Sequence, residues 1–226
     1  YVPGAYDEMM DKALNDWTCG DKELRQLLLE MVGYCLYRRN NLKKIFFLVG
    51  GGDNGKSAFI TVLETLLGKS NYSTIDFRNI GDRFQSAALE NKFANICDDI
   101  GTGYIEDLSV VKMLSTGADI AVEHKGQDTY TATNMATLIF GTNGVPETKA
   151  TDTAGIKRMV LIPFNGCFKQ DATFVSRLIN ENSMSYLLNE AVKALINVIR
   201  NNAFTIPESV ADLKSTYVDD NDPVRQ

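Results

Sequence analysis

Gly50-Gly51-Gly52-Asp53-Asn54-Gly55-Lys56-Ser57 is a glycine, four residues and then Gly-Lys-Ser. Residues of these types at this spacing suit a polyphosphate. Glycines let the backbone curl so that its N–H groups point inward at an anion, and the open N–H donors of a helix's first turn add partial positive charge. Lys56 then reaches the β- and γ-phosphates as a point charge, and the Ser57 hydroxyl is a ligand for Mg²⁺. Asp98-Asp99 is the second group able to do chemistry. Here Asp98 is assigned to the magnesium shell and Asp99 to orienting and deprotonating a water. The third is Asn143, whose amide can hydrogen-bond both a γ-phosphate and an attacking water. Its alternative is a turn-forming Asn before Gly144.

These groups need a scaffold, and the hydrophobic pattern supplies one. Ile45-Phe46-Phe47-Leu48-Val49 is apolar without alternation, as in a parallel strand covered on both faces. From Ser57 onward Phe59, Val62, Leu63, Leu66 and Leu67 recur at helical spacing, and Gly68 ends the helix. Strand, glycine loop and helix are the context that a phosphate loop needs. Phe93-Ala94-Asn95-Ile96-Cys97 predicts a second core strand running into Asp98-Asp99, which looks like the Walker B element, since ligands sit at the carboxyl ends of parallel strands. Thr137-Leu138-Ile139-Phe140 leads to Gly141-Thr142-Asn143, and Met159-Val160-Leu161-Ile162 is a fourth strand, stopped by Pro163 and preceded by Lys157-Arg158. Residues 82–91 and 108–115 read as short helices. Between the second and third core strands, Ile120-Ala121-Val122 and Tyr130-Thr131-Ala132-Thr133 form a hairpin whose tip carries His124 and Lys125.

Amphipathic helices flank this core. Tyr6, Met9, Met10, Ala13, Leu14 and Trp17 share one face, and Leu24, Leu27, Leu28, Met31 and Cys35 another, with Asp21 as its cap. Met184, Leu187, Leu188, Ala191, Leu195 and Ile199 make a C-terminal stripe, and Thr205-Ile206-Pro207-Glu208 opens a last helix. Arg38-Arg39 and Lys43-Lys44 read as a solvated helix end whose cations suit the C-terminal dipole, with a contact to nucleic acid as the alternative. The fold class is therefore α/β, a central parallel sheet flanked by helices with small helical N- and C-terminal segments. The divisions are a helical segment over 1–40, a phosphate-loop core with the hairpin over 41–168, and a helical segment over 169–226.

The 226 residues carry 23 basic and 29 acidic side chains, a net charge of −6, so any contact with nucleic acid must be local. Four scattered cysteines, no Cys-x-x-Cys and one histidine argue against zinc and a disulfide framework and for a reducing cytoplasm. No apolar run is long enough for a membrane span. The start at Tyr1-Val2-Pro3, without Met or a leader, reads as an internal fragment.

Taken in order, Gly50 to Ser57, Asn95 to Ile100, Lys112 to Ile120 with Glu123-His124-Lys125-Gly126, Phe140 to Asn143, and Lys157-Arg158 before Ile162-Pro163-Phe164 resemble a superfamily 3 helicase. The likeness is greatest to the helicase part of phage and poxvirus-type primase-helicases and runs from about Asp21 to Pro223. It implies an AAA+-type core, ATP and Mg²⁺ as ligands, and a homo-hexameric ring hydrolysing ATP at subunit interfaces around single-stranded or forked DNA. It also implies a primase or polymerase domain on the same full-length chain and, for a phage or mobile element, a bacterial host's cytoplasm. His124 and Lys125 match the DNA-gripping tip, although a basic residue is usual where His124 stands. Arg158 matches the arginine finger that reaches a neighbour's γ-phosphate, and whether Lys157 shares that role stays open. A remodelling or loader ATPase acting on protein would lack a basic hairpin tip, and a GTPase would need an Asn-Lys-x-Asp motif, which the chain does not contain.

Overall fold

The computed structural model describes residues 1–82, 85–105, 108–123, 128–148 and 153–221. Along the chain run α1 (Glu8–Trp17), α2 (Lys22–Tyr37), β1 (Ile45–Val49), α3 (Lys56–Leu67), β2 (Tyr72–Ser73), β3 (Ala94–Ile100) and α4 (Ser109–Leu114). They are followed by β4 (Asp119–Val122), β5 (Tyr130–Thr133), β6 (Thr137–Thr142), α5 (Thr153–Arg158), β7 (Met159–Pro163), α6 (Phe174–Leu178), α7 (Glu181–Asn201) and α8 (Glu208–Asp220). Five strands form one parallel sheet in the order β2-β3-β6-β1-β7. β4 and β5 form a separate antiparallel hairpin, in register from Asp119 opposite Thr133 to Val122 opposite Tyr130.

The apolar run of β1 has its reason in this order. Phe46 and Leu48 face a layer built by α1, α2, α3 and α7, with Ile96, Ile139, Val160 and Ile162 beside them. Ile45 and Phe47 face the other side, with Leu138, Phe140 and Leu161 and, from the helices, Leu114 and Tyr217. With β6 and β7 on its two edges and helices on both faces, β1 has no position for a polar side chain, and each such burial contributes about 1.5–3 kcal/mol. α2 and α7 approach so closely that a Cβ on Gly33 would lie 2.3 Å from the carbonyl oxygen of Ala191.

The helix ends follow local chemistry, with exceptions. Asp21 caps α2 by accepting from the N–H groups of Glu23 and Leu24, and Asn180 with Ser183 forms a reciprocal capping box at α7. Thr205 does not cap α8. Its N–H and Oγ1 instead donate to the Glu30 carboxylate at 2.7 and 2.8 Å, supplying partners for an acid that is 2% exposed. Of the expected α7 stripe, Leu187 and Ala191 are buried and Met184 and Leu195 pack against the core, while Ile199 is 48% exposed and Tyr186, Ala194 and Val198 complete the buried face. Tyr6 stands ahead of α1, exposed, with its ring edge-on to Tyr186. In place of a helix over 82–91, the described residues hold a 3-10 turn at Ser86–Leu89. No helix among the described residues is long and apolar enough to cross a membrane.

Candidate functional site

Three neighbouring strands end together. β6 lies between β1 and β3, and its Thr142 pairs with Val49 on one side and Ile100 on the other. Gly50 to Ser57, Asn143 and Asp98-Asp99 therefore emerge at one edge of the sheet.

The loop is shaped by its own side chains. Asn54, 5% exposed, donates from Nδ2 to the Gly51 carbonyl at 2.6 Å and accepts the Lys56 N–H on Oδ1 at 3.1 Å. Gly50 leaves the space Asn54 fills, since a Cβ there would sit 2.2 Å from that Nδ2 and 2.4 Å from the Phe164 carbonyl oxygen. Gly55, at φ 81°, caps α3 in the left-handed region.

Lys56 is 4% exposed. Its Nζ donates to the carbonyls of Gly50 (3.2 Å) and Thr142 (3.1 Å) and to Asn143 Oδ1 (3.1 Å), joining the loop to the end of β6. Burial lowers the ammonium's pKa, and the Asp98 and Asp99 carboxylates oppose that shift.

The acids are placed by an irregularity in β3. Adjacent residues of a regular strand point to opposite faces. Between Cys97, opposite Phe140, and Ile100, opposite Thr142, β3 holds one residue more than β6, and Asp99 sits at φ 56°. This bulge turns both carboxylates toward the cleft. Asp98 Oδ2 accepts the Ser57 hydroxyl at 2.6 Å, and its Oδ1 accepts the Asp99 N–H at 2.9 Å. Gly141 makes room for that carboxylate, because a Cβ there would lie 2.2 Å from Asp98 Oδ1.

The loop, Lys56, Ser57, Asp98, Asp99 and Asn143 line one hollow of about 380 Å³. Its chemistry suits a polyphosphate with a hard divalent cation. Ser57 and Asp98 offer oxygen ligands to such an ion. That fits Mg²⁺, which keeps several waters and binds through one or two protein oxygens together with substrate phosphates. A second hollow of about 370 Å³ adjoins the first and shares Asp53, Gly55 and Ala58 with it. Trp17, Phe168 and Phe174 form its apolar wall and Asp16 its polar rim. Sequence reasoning placed Trp17 in the core and did not find this hollow, since its walls come from distant segments and carry no shared motif.

Two expectations stand apart from the cleft. Arg158 ends α5 just ahead of Met159, which pairs with Ile45 at the start of β1, whereas the loop leaves β1 after Val49. It thus lies at the other end of the sheet, on the order of 15 Å away at ~3.3 Å per strand residue. His124 and Lys125 lie outside the described residues, while the hairpin stem that carries them is present.

The fold and cleft define an α/β protein whose parallel sheet carries a glycine-rich loop at the ends of its inner strands. Residues 48–158 match the model of DUF5906, a family of unknown function. The chain is 24% identical over 160 residues to a protein of Acanthamoeba polyphaga mimivirus named "Putative helicase L207/L206", across 64% of this chain and 16% of that one. Its fold is similar to the C-terminal region of NrS-1 in apo form, with a TM-score of 0.72 at 15% identity over 96% of this chain and 52% of that one. An apo structure of NrS-1 residues 305–718 gives 0.65 over 99% and 53%. The chain spans about half of the NrS-1 region and far less of the viral protein.

Proposed function

We propose that this chain is the ATP-hydrolysing motor of a superfamily 3 type DNA helicase, working as a homo-hexameric ring on single-stranded or forked DNA. The observation that carries this reading is the meeting of Lys56, Ser57, Asp98, Asp99 and Asn143 in one cleft beside the phosphate loop. The likeness to a viral protein named as a helicase supports the choice among phosphate-loop functions.

In this mechanism the loop N–H groups and Lys56 hold the β- and γ-phosphates, and the aromatic hollow takes the base. Ser57 and Asp98 would hold Mg²⁺, and the chemistry such an ion would supply there is neutralisation of charge on the phosphates. Asn143 orients the attacking water and Asp99 accepts its proton. Asp99 accepts no hydrogen bond from Ser57 or Lys56, which leaves its carboxylate available to a water. Arg158 acts on a neighbouring subunit's nucleotide, and His124 and Lys125 grip DNA at the hairpin tip.

The test is ATP hydrolysis and fork unwinding with and without single-stranded DNA. Stimulation by DNA and unwinding are expected. Lys125→Ala should weaken single-strand binding, flatten its salt dependence by about one unit of slope and abolish unwinding, with DNA-free hydrolysis near wild type. Hydrolysis stimulated by a protein partner and indifferent to DNA would favour a remodelling or loader ATPase.

Gly141→Ala tests the metal arrangement from one side. Crowding Asp98 is expected to weaken apparent Mg²⁺ affinity about 10- to 100-fold in a Mg²⁺ titration of ATP hydrolysis. An unchanged Mg²⁺ midpoint would remove Asp98 from the ion's surroundings.

A further inference from the structure

The basic stretch between α2 and β1 is not used by the cleft. Residues 38–43 carry Arg38, Arg39 and Lys43 and no acid, in a chain of net charge −6. As cations serving a helix end they would donate to the last carbonyls of α2. They do not. Arg38 leaves the helix at φ 52° and Lys43 sits at φ 55°. Among the described residues none of the three donates to a carbonyl of α2 or lies within ion-pair distance of a carboxylate.

Two of them are held on aromatic rings instead. The Arg38 guanidinium lies over Phe93, 5.5 Å from the ring centroid, with its Nε buried and unpartnered, and that of Arg39 lies over Tyr37 at 5.4 Å. A guanidinium fixed on a ring keeps N–H donors for an oxyanion and has less freedom to lose when one binds. Arg39 and Lys43 are exposed, and Arg38 is half-buried.

The stretch is fastened to the root of the β4–β5 hairpin. Asn40, 6% exposed, donates from Nδ2 to the carbonyls of Asn134 and Ala136, both at 3.2 Å, and Asn134 donates from its own Nδ2 to Leu114 O at 2.9 Å. Leu114 ends α4 ahead of the hairpin and Asn134 directly follows β5, so the cations on either side of Asn40 stand beside the hairpin's root.

We propose that Arg38, Arg39 and Lys43 form a phosphate-tracking surface that holds a single strand of nucleic acid as it passes the root of the hairpin. Unpaired cations set among aromatic rings suit a backbone of regularly spaced phosphates, and the tie through Asn40 joins them to the element that the helicase reading assigns to DNA. The inference rests on that reading and adds a second contact to it, away from the hairpin tip.

The test is fluorescence anisotropy of labelled oligothymidylate, without nucleotide, across a range of salt. Arg39→Gln with Lys43→Gln is expected to weaken binding about 10- to 30-fold near ~0.1 M salt and to lower the salt slope by about 1.4, or ~0.7 per cation. Arg39→Lys should keep the slope, and thermal midpoints should stay near wild type because both positions are exposed. Lys12→Gln with Lys193→Gln removes the same net charge from two exposed ion pairs and should bind as wild type does. Wild-type affinity and slope in the first pair, or an equal loss in the second, overturns the proposal.

Three further outcomes separate this surface from its alternatives. Unchanged binding in the Arg39, Lys43 variant beside weakened binding in Lys125→Ala overturns the surface and leaves the helicase reading standing. Binding that depends on Arg39 and Lys43 in a protein that neither hydrolyses ATP nor unwinds a fork supports the surface and ends that reading. Equally tight binding of polyglutamate or of phosphatidylserine vesicles, lost in the same variant, overturns the assignment to nucleic acid.

Discussion

Replacing Arg158 by alanine is expected to lower steady-state ATP turnover about 10³- to 10⁵-fold while ATP binding stays near wild type. That is a barrier change of roughly 4 to 7 kcal/mol, against ~0–1 kcal/mol for an exposed ion pair, so the measurement separates a catalytic guanidinium from a structural one. Position gives the physical reason. Arg158 ends α5 at the start of β7, whereas its own loop follows the end of β1, so a role in phosphoryl transfer requires a neighbour. Chains of Arg158→Ala mixed with Lys56→Ala should then recover activity at interfaces that pair an intact loop with an intact arginine. The measurement is turnover across mixing ratios, at concentrations where rings form and with subunit exchange confirmed. Near wild-type turnover in the single variant would transfer the role to Lys157. A dead variant that exchanging Lys56→Ala chains cannot rescue would contradict the shared site.

Lys56→Ala and Asp99→Asn should fail in different ways. Losing Lys56 removes the cation for the β- and γ-phosphates and the three hydrogen bonds that tie Gly50, Thr142 and Asn143 together, so ATP binding itself should be lost. Asp99→Asn keeps the shape of the side chain and removes its proton acceptor. Binding should be nearly intact and hydrolysis reduced about 10²- to 10⁴-fold, the usual worth of a general base. Equilibrium binding of a fluorescent ATP analogue beside turnover checks both. If Asp99→Asn loses binding while Asp98→Asn keeps it, the two acids exchange roles, and the Ser57–Asp98 hydrogen bond would have a purely structural meaning.

What the chain's order of residues determined is local or periodic. The unbroken apolar run Ile45–Val49 becomes the inner strand β1 because a segment covered on both faces has no use for alternation. Gly68 ends α3 at φ 80°, and Asp21 caps α2, because backbone freedom and a short carboxylate act within a few residues. The place of the glycine-rich loop between β1 and α3 was legible for the same reason: its glycines, its lysine and its serine are consecutive. Asp98-Asp99 was legible only in part. The pair was visible, but a regular strand would have sent the two carboxylates to opposite faces, and the bulge opposite β6 together with the left-handed Asp99 brings them to one cleft. The space Gly141 leaves for Asp98 and the hollow walled by Trp17, Phe168 and Phe174 carry no local signal. Nor does the approach of Lys44 and Lys214, far apart in the chain, to the one carbonyl of Lys157. Thr205, which looks like a helix cap, is drawn to the buried side chain of Glu30, because a polar group out of water needs partners more than an exposed helix end does. Tertiary packing decided each of these, since it alone sets which side chains from distant segments lose water together and must satisfy one another.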